Sequence, residues 1–114
     1  MPCINTKVNV EISAEKEKIL KTKLGKAIEI LPGKTENWLM LCFEDKCKLY
    51  FNGNNSEPTA FVDVMLLGTT DNEHSNLLTR EITDILSNEL GISKSRIYIK
   101  YEEVKYWGWN GNNF

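Results

Sequence analysis

The chain is poor in the residues from which most catalytic motifs are built. It has one histidine, His74, two arginines, Arg80 and Arg96, three cysteines and three prolines. His74 stands in a polar stretch beside Asp71 and Glu73, where a solvated or capping role is expected. That placement supports neither a histidine metal centre nor a Ser–His–Asp triad. Two arginines leave little with which to clamp phosphate, and a net charge of −2 gives no reason to expect nucleic acid as a partner. Cys3, Cys42 and Cys47 are odd in number and irregularly spaced. They form neither a disulfide framework nor a CxxC pattern, so reduced, mostly packed thiols are expected. No apolar run approaches the roughly 20 residues of a membrane span, so no membrane partner is expected. MPCINTKVNVEIS has no long apolar centre, so no signal peptide is expected and the expected compartment is cytoplasmic. GxxxxGK[ST] and GxGxxG are both missing, which leaves nucleotide binding without support. Neither a cofactor nor a metal is expected.

What is present is an ordinary soluble composition, 41% hydrophobic and 26% charged, over 114 residues. One domain spanning 1–114 is expected. Residues 3–10 alternate, with Ile4, Thr6, Val8 and Val10 on one side, which is a strand pattern. Ser13 is placed to cap a helix whose stripe is Ile19, Leu20, Leu24, Ala27, Ile28 and Leu31, stopped by Pro32-Gly33. Trp38 to Phe43 reads as a strand, and Lys48–Phe51 as a short partner after the Glu44-Asp45-Lys46 turn. Ala60–Leu67 is a strong apolar strand suited to a sheet centre. Thr70-Asp71-Asn72-Glu73 has the form of a capping box before a second helical stripe, Leu77 to Leu90, with Gly91 as its stop. Ile97, Ile99 and Tyr101 alternate as a last strand, and an aromatic, glycine-rich tail follows.

The predicted architecture is therefore α+β: two βαβ units forming one mixed four-stranded sheet, two helices on one face, and short edge strands. The strands carry apolar residues on both faces, so the face without helices needs a cover, and self-association is the simplest one.

Three features could carry chemistry: Pro2, Lys34 just past a helix end, and the aromatic tail. If Met1 is removed, Pro2 becomes a free secondary amine, able to act as base or nucleophile once its pKa is brought near neutrality. Taken singly, each has a plainer reading: a common second residue, a charge at a helix C-terminus, and core or interface aromatics.

Taken together, these features resemble the macrophage migration inhibitory factor family of the tautomerase superfamily. The likeness rests on Pro2, Asn5-Thr6, Asn9-Val10, Gly33-Lys34, Ser56-Glu57-Pro58, Gly68, Arg96-Ile97-Tyr98-Ile99, Gly108-Trp109-Asn110 and a final Phe114. These lie in family order and near-family spacing across essentially the whole chain, and the ending is most similar to protist members. The resemblance implies a homotrimer with sheets inside and helices outside. It also implies keto–enol tautomerisation of small α-keto acids such as phenylpyruvate, and of dopachrome-like compounds. Pro2 would be the base and then the acid. Lys34 would hold the substrate carboxylate and depress the proline pKa, and the Leu67 backbone N–H would bind substrate. Tyr98 would be a wall residue from the neighbouring subunit, and Trp107 and Phe114 an apolar lid.

The chain also departs from the family pattern. Trp38 stands where vertebrate members commonly carry tyrosine, and Lys100 where they carry asparagine. Lys100 either faces the pocket as a second cation or snorkels to solvent. Thr59 and Val62 replace the family's CxxC cysteines, so thiol oxidoreductase activity is not carried over. The alternative function is a secreted, cytokine-like protein that binds a cell-surface receptor of a host. It would be exported by an unconventional route, with catalysis secondary. Dehalogenation or hydration at the same proline would call for arginines at the pocket and ranks below both.

Overall fold

A computed structural model describes residues 1–114. The elements run β1 (Pro2–Val8), α1 (Ala14–Ala27), β2 (Met40–Glu44), β3 (Ala60–Leu67), α2 (Asn72–Leu90), β4 (Ile97–Val104), β5 (Gly108–Trp109) and β6 (Asn112–Asn113). The first four strands form one sheet in the order β2-β1-β3-β4. β1 is parallel to β2, β3 is parallel to β4, and β1 and β3 run antiparallel at the centre. This is the expected pair of βαβ units joined in one mixed sheet.

Alternation decides which face is covered. Ile4, Thr6 and Val8 of β1 and Val62, Val64 and Leu66 of β3 are fully buried, and Leu20, Leu24, Leu78, Ile82 and Leu86 of the helices join them in the core. The intervening residues point the other way, because side chains change face at every step of a strand. That opposite face is only half covered, and Met40 and Tyr98 on it are largely exposed.

The helix ends follow local chemistry. The Ser13 side chain accepts from the Lys16 N–H, with Glu15 and Glu17 in the first turn, and Gly91 stops α2 in the left-handed region at φ 68°. The cap of α2 is Asp71 rather than Thr70. The Asp71 carboxylate accepts from the His74 N–H, whereas the Thr70 hydroxyl is buried without a partner and the Thr70 N–H donates to Glu103. His74 accordingly sits in the first turn of α2, not in a loop, with Nδ1 2.7 Å from the Asp71 carboxylate.

Two strand expectations also shift. Trp38 ends a short 3-10 turn, Glu36–Trp38, and the strand begins at Met40. Lys48–Phe51 is not a strand. Lys46 at φ 55° turns the chain away after β2, and Phe51 pairs only with Asn54, in an isolated bridge across the Asn52-Gly53 turn. Arg96 pins this loop. It is buried, donates to the carbonyls of Phe51, Asn54 and Pro58 and to the Thr59 hydroxyl, and lies over the Phe51 ring.

Candidate functional site

Pro2 opens the central strand β1 and is itself buried. It lies opposite Leu66 of β3 and lines a cleft of about 920 Å³ whose other walls include Trp38, Met40, Met65, Trp107 and Trp109. The lining is mostly apolar. An amine at this position is taken out of water, which disfavours its ammonium form.

Lys34 follows the short 3-10 turn Ile28–Ile30 that extends α1. Pro32 and Gly33 form a tight turn there, with Gly33 at φ 77° and the Lys34 N–H donating to the Leu31 carbonyl. A Pro-Gly pair suits such a turn, because proline presets its own φ and glycine accepts the positive one. The Lys34 ammonium then donates to the Leu67 carbonyl at 3.1 Å. The Leu67 N–H donates to the Met1 carbonyl at 3.0 Å, so Met1 occupies the one backbone donor beside Pro2. The Met1 amino group is held below its ordinary value, first by burial and then by the charge and hydrogen bond of Lys34.

The tail closes the aromatic side of the cleft. β5 and β6 make a hairpin across Asn110-Gly111, whose positive φ values of 53° and 85° suit a two-residue turn. The Phe114 N–H donates to the Trp107 carbonyl. Trp109 meets Trp38 edge to face at 5.1 Å between ring centroids and stacks on Phe114 at 6.1 Å. Trp109 carried no site role in the sequence reading. Its sequence signals are the aromatic tail and the Gly108-Trp109-Asn110 motif, neither of which assigns it a contact, and its pairing with Trp38 spans most of the chain.

Pro2, Trp38 and Trp107 thus share one cleft, Lys34 and Leu67 stand beside it, and Phe114 backs its wall through Trp109. Tyr98 and Lys100 are not brought there within a single chain. Tyr98 lies on the open sheet face against Phe51. Lys100, also on that face, makes a 3.0 Å ion pair with Asp63, which pushes the lysine pKa up. Arg80 is exposed on α2, away from the cleft, and Arg96 is committed to the loop it pins.

A family model described as macrophage migration inhibitory factor matches residues 1–114. The curated macrophage migration inhibitory factor of Xenopus laevis is 25% identical over 116 residues, covering 100% of this chain and 99% of that protein. Among solved structures, the MIF2 protein of Leishmania major is 33% identical with a TM-score of 0.92, covering 100% of this chain and 97% of its own. A homologue from Prochlorococcus marinus is 31% identical with a TM-score of 0.82, covering 98% of each chain.

Proposed function

The chain belongs to the macrophage migration inhibitory factor family, and from that premise we propose that it is a keto–enol tautomerase whose base is the Pro2 amine, exposed when Met1 is removed. The observation that carries this reading is the position of Pro2: buried at the start of a central strand, in an apolar cleft, opposite Leu66, whose neighbour Leu67 accepts from the Lys34 ammonium.

Proton transfer is fastest when the base titrates near the working pH. Burial and the Lys34 cation act in the same direction on an amine there, keeping it neutral and ready to accept. The neutral nitrogen takes the proton from the carbon next to the ketone of an α-keto acid. The electron pair moves through the new C=C bond to the ketone oxygen as an enolate, and protonated Pro2 returns the proton either to that oxygen, giving the enol, or to the carbon, restoring the ketone. Lys34 holds the substrate carboxylate. Loss of Met1 also removes the carbonyl that accepts from Leu67. The freed N–H can then bind the substrate oxygen where charge develops, which is the most effective place for a donor. Trp38, Trp107 and the Trp109–Phe114 stack exclude water and offer flat surfaces to an aromatic substrate such as enol-phenylpyruvate. The half-covered sheet face supports a homotrimer in which Tyr98 and Lys100 reach a neighbour's cleft.

The test is ketonisation of enol-phenylpyruvate by chain with a verified Pro2 N-terminus, beside chain that keeps Met1. Fast turnover only in the first is expected. Equal, negligible rates would remove the enzyme reading. A 17% identical protein of the same fold is described as inactivated by 2-oxo-3-pentynoate. That electrophile should add one equivalent to the Pro2 nitrogen here, seen as a mass increase on the N-terminal peptide.

A further inference from the structure

Four sulfur-bearing side chains share the open face of the sheet. Cys3 of β1 pairs in register with Met40 of β2 on one side and with Met65 of β3 on the other. Their neighbours Ile4, Val64 and Leu66 are buried under the helices, so the three sulfur residues point to the opposite face. Cys42 lies two residues beyond Met40 and shares that face. Cys3, Met40 and Met65 line the same cleft.

We propose that Cys3, Met40 and Met65, with Cys42 as a further donor, form a binding site for the soft monovalent cation Cu(I). Directly paired residues on adjacent strands have Cβ atoms about 4.5–5.5 Å apart, so a methionine on each side can swing its sulfur over Cys3. Thiolate and thioether donors select Cu(I), whereas zinc uses thiolate and imidazole, and calcium and magnesium use oxygen. The one histidine lies in α2, Asp63 is paired with Lys100, and Glu102 lies across from Met65 on β4, one strand beyond Cys3. The geometry favours a metal over a disulfide. Cys3 and Cys42 are diagonal neighbours, with Cα atoms about 7–8 Å apart, beyond the roughly 4.4–6.8 Å span of a disulfide. A cation between them bridges that gap. Each thiol that binds as thiolate releases one proton to solvent, and the copper keeps its oxidation state. The site stands whether or not Pro2 is a catalytic base.

The test is an anaerobic titration of the Pro2-started chain with Cu(I) supplied as its bathocuproine disulfonate complex, following loss of that complex's colour. One Cu(I) per chain should transfer, with sulfur as the only ligand type in X-ray absorption. Losing a partner outside the coordination sphere typically costs about 10- to 100-fold in affinity. Cys3→Ser and the double variant Met40→Leu/Met65→Leu should each weaken binding beyond that range, while Cys47→Ser leaves it unchanged. Leucine keeps methionine's volume, so the double variant should fold, as circular dichroism would show. Unchanged affinity in Cys3→Ser or in the methionine variant would overturn the proposal. So would an equal loss in Cys47→Ser, which would mean scattered thiols rather than a site.

Discussion

Lys34 makes two separable contributions on the proposed mechanism, and they give different kinetic signatures. The base form of the amine does the work, so the rate climbs as pH rises through the amine's pKa. With Met1 in place, burial and then the charge and hydrogen bond of Lys34 hold the Met1 amino group below its ordinary value, and on the proposed mechanism the same two influences act on the Pro2 amine. Lys34→Ala removes one of the two, the amine binds its proton more tightly, and the rising limb of the pH–rate profile moves to higher pH. The same change removes the cation from the substrate carboxylate. Loss of such a charge-stabilising donor is expected to lower kcat/KM by about 100-fold. Steady-state kinetics across pH checks both, and a limb that stays in place would separate Lys34 from the amine. Arg96 is the contrasting residue, a buried guanidinium with no access to the cleft. Arg96→Met strips donors from the Thr59 hydroxyl and from loop carbonyls. A cost of about 2–3 kcal/mol follows from one lost set of charged hydrogen bonds. It should appear in urea unfolding, with kcat unchanged under conditions where the variant is folded.

At the scale of elements, the two helices are joined through Glu89 of α2, which accepts from Lys16 and Lys23 of α1. Those hydrogen bonds hold the Glu89 carboxyl below its ordinary value of 4.5. The folded chain therefore binds that proton less readily than the unfolded chain does. Its stabilisation is complete above pH 4.5 and is lost as pH falls through the depressed folded value. Glu89→Gln should flatten the fall of Tm with acid in that window, measured by thermal melts from neutral pH downward. The helices and three of the four strands of the main sheet were legible because burial on one face imposes a period of 3.6 or 2 on the sequence, or, in β3, a continuous apolar run. Leu20, Leu24, Leu78, Ile82 and Ile4 all lie on the predicted inner sides. Lys48–Phe51 misled because its composition fits a strand while its partners are set elsewhere, by the turn at Lys46 and by Arg96. The α2 cap misled by one residue, since Thr70 and Asp71 are both good capping types and only the Asp71 side chain reaches the His74 N–H. Asp71→Ala should lower Tm where Thr70→Ala does not. Of the site, Pro2 and Lys34 were readable because local signals, a strand start and a Pro-Gly turn, fix their places. Trp109 was not, because its contact with Trp38 is made only by the folded tail.

For the whole molecule, the decisive quantity is the separation of Lys100 from Pro2 within one chain. Pro2 is opposite Leu66, and Lys100 is opposite Asp63 on the strand beyond. Three residues along β3 and two strand spacings across it amount to about 10 Å in each direction. No side chain of the same subunit spans that diagonal to touch a substrate held at Pro2. If Tyr98 and Lys100 contribute to the site, they do so in a neighbour's cleft, and that arrangement can be read by mixing two crippled chains. Chain that keeps Met1 leaves each subunit without its free prolyl amine. Tyr98→Ala/Lys100→Ala leaves each base without its neighbour's wall. Mixed by reversible unfolding in equal amounts, the two inactive proteins should regain roughly a quarter of wild-type activity. In a closed ring, that is the chance that a chain with a free prolyl amine abuts one with Tyr98 and Lys100 intact. Light scattering on the same sample should give three times the chain mass of 13.1 kDa. Activity that never exceeds the sum of the two parents would confine the site to one subunit and leave Lys100 as Asp63's partner alone.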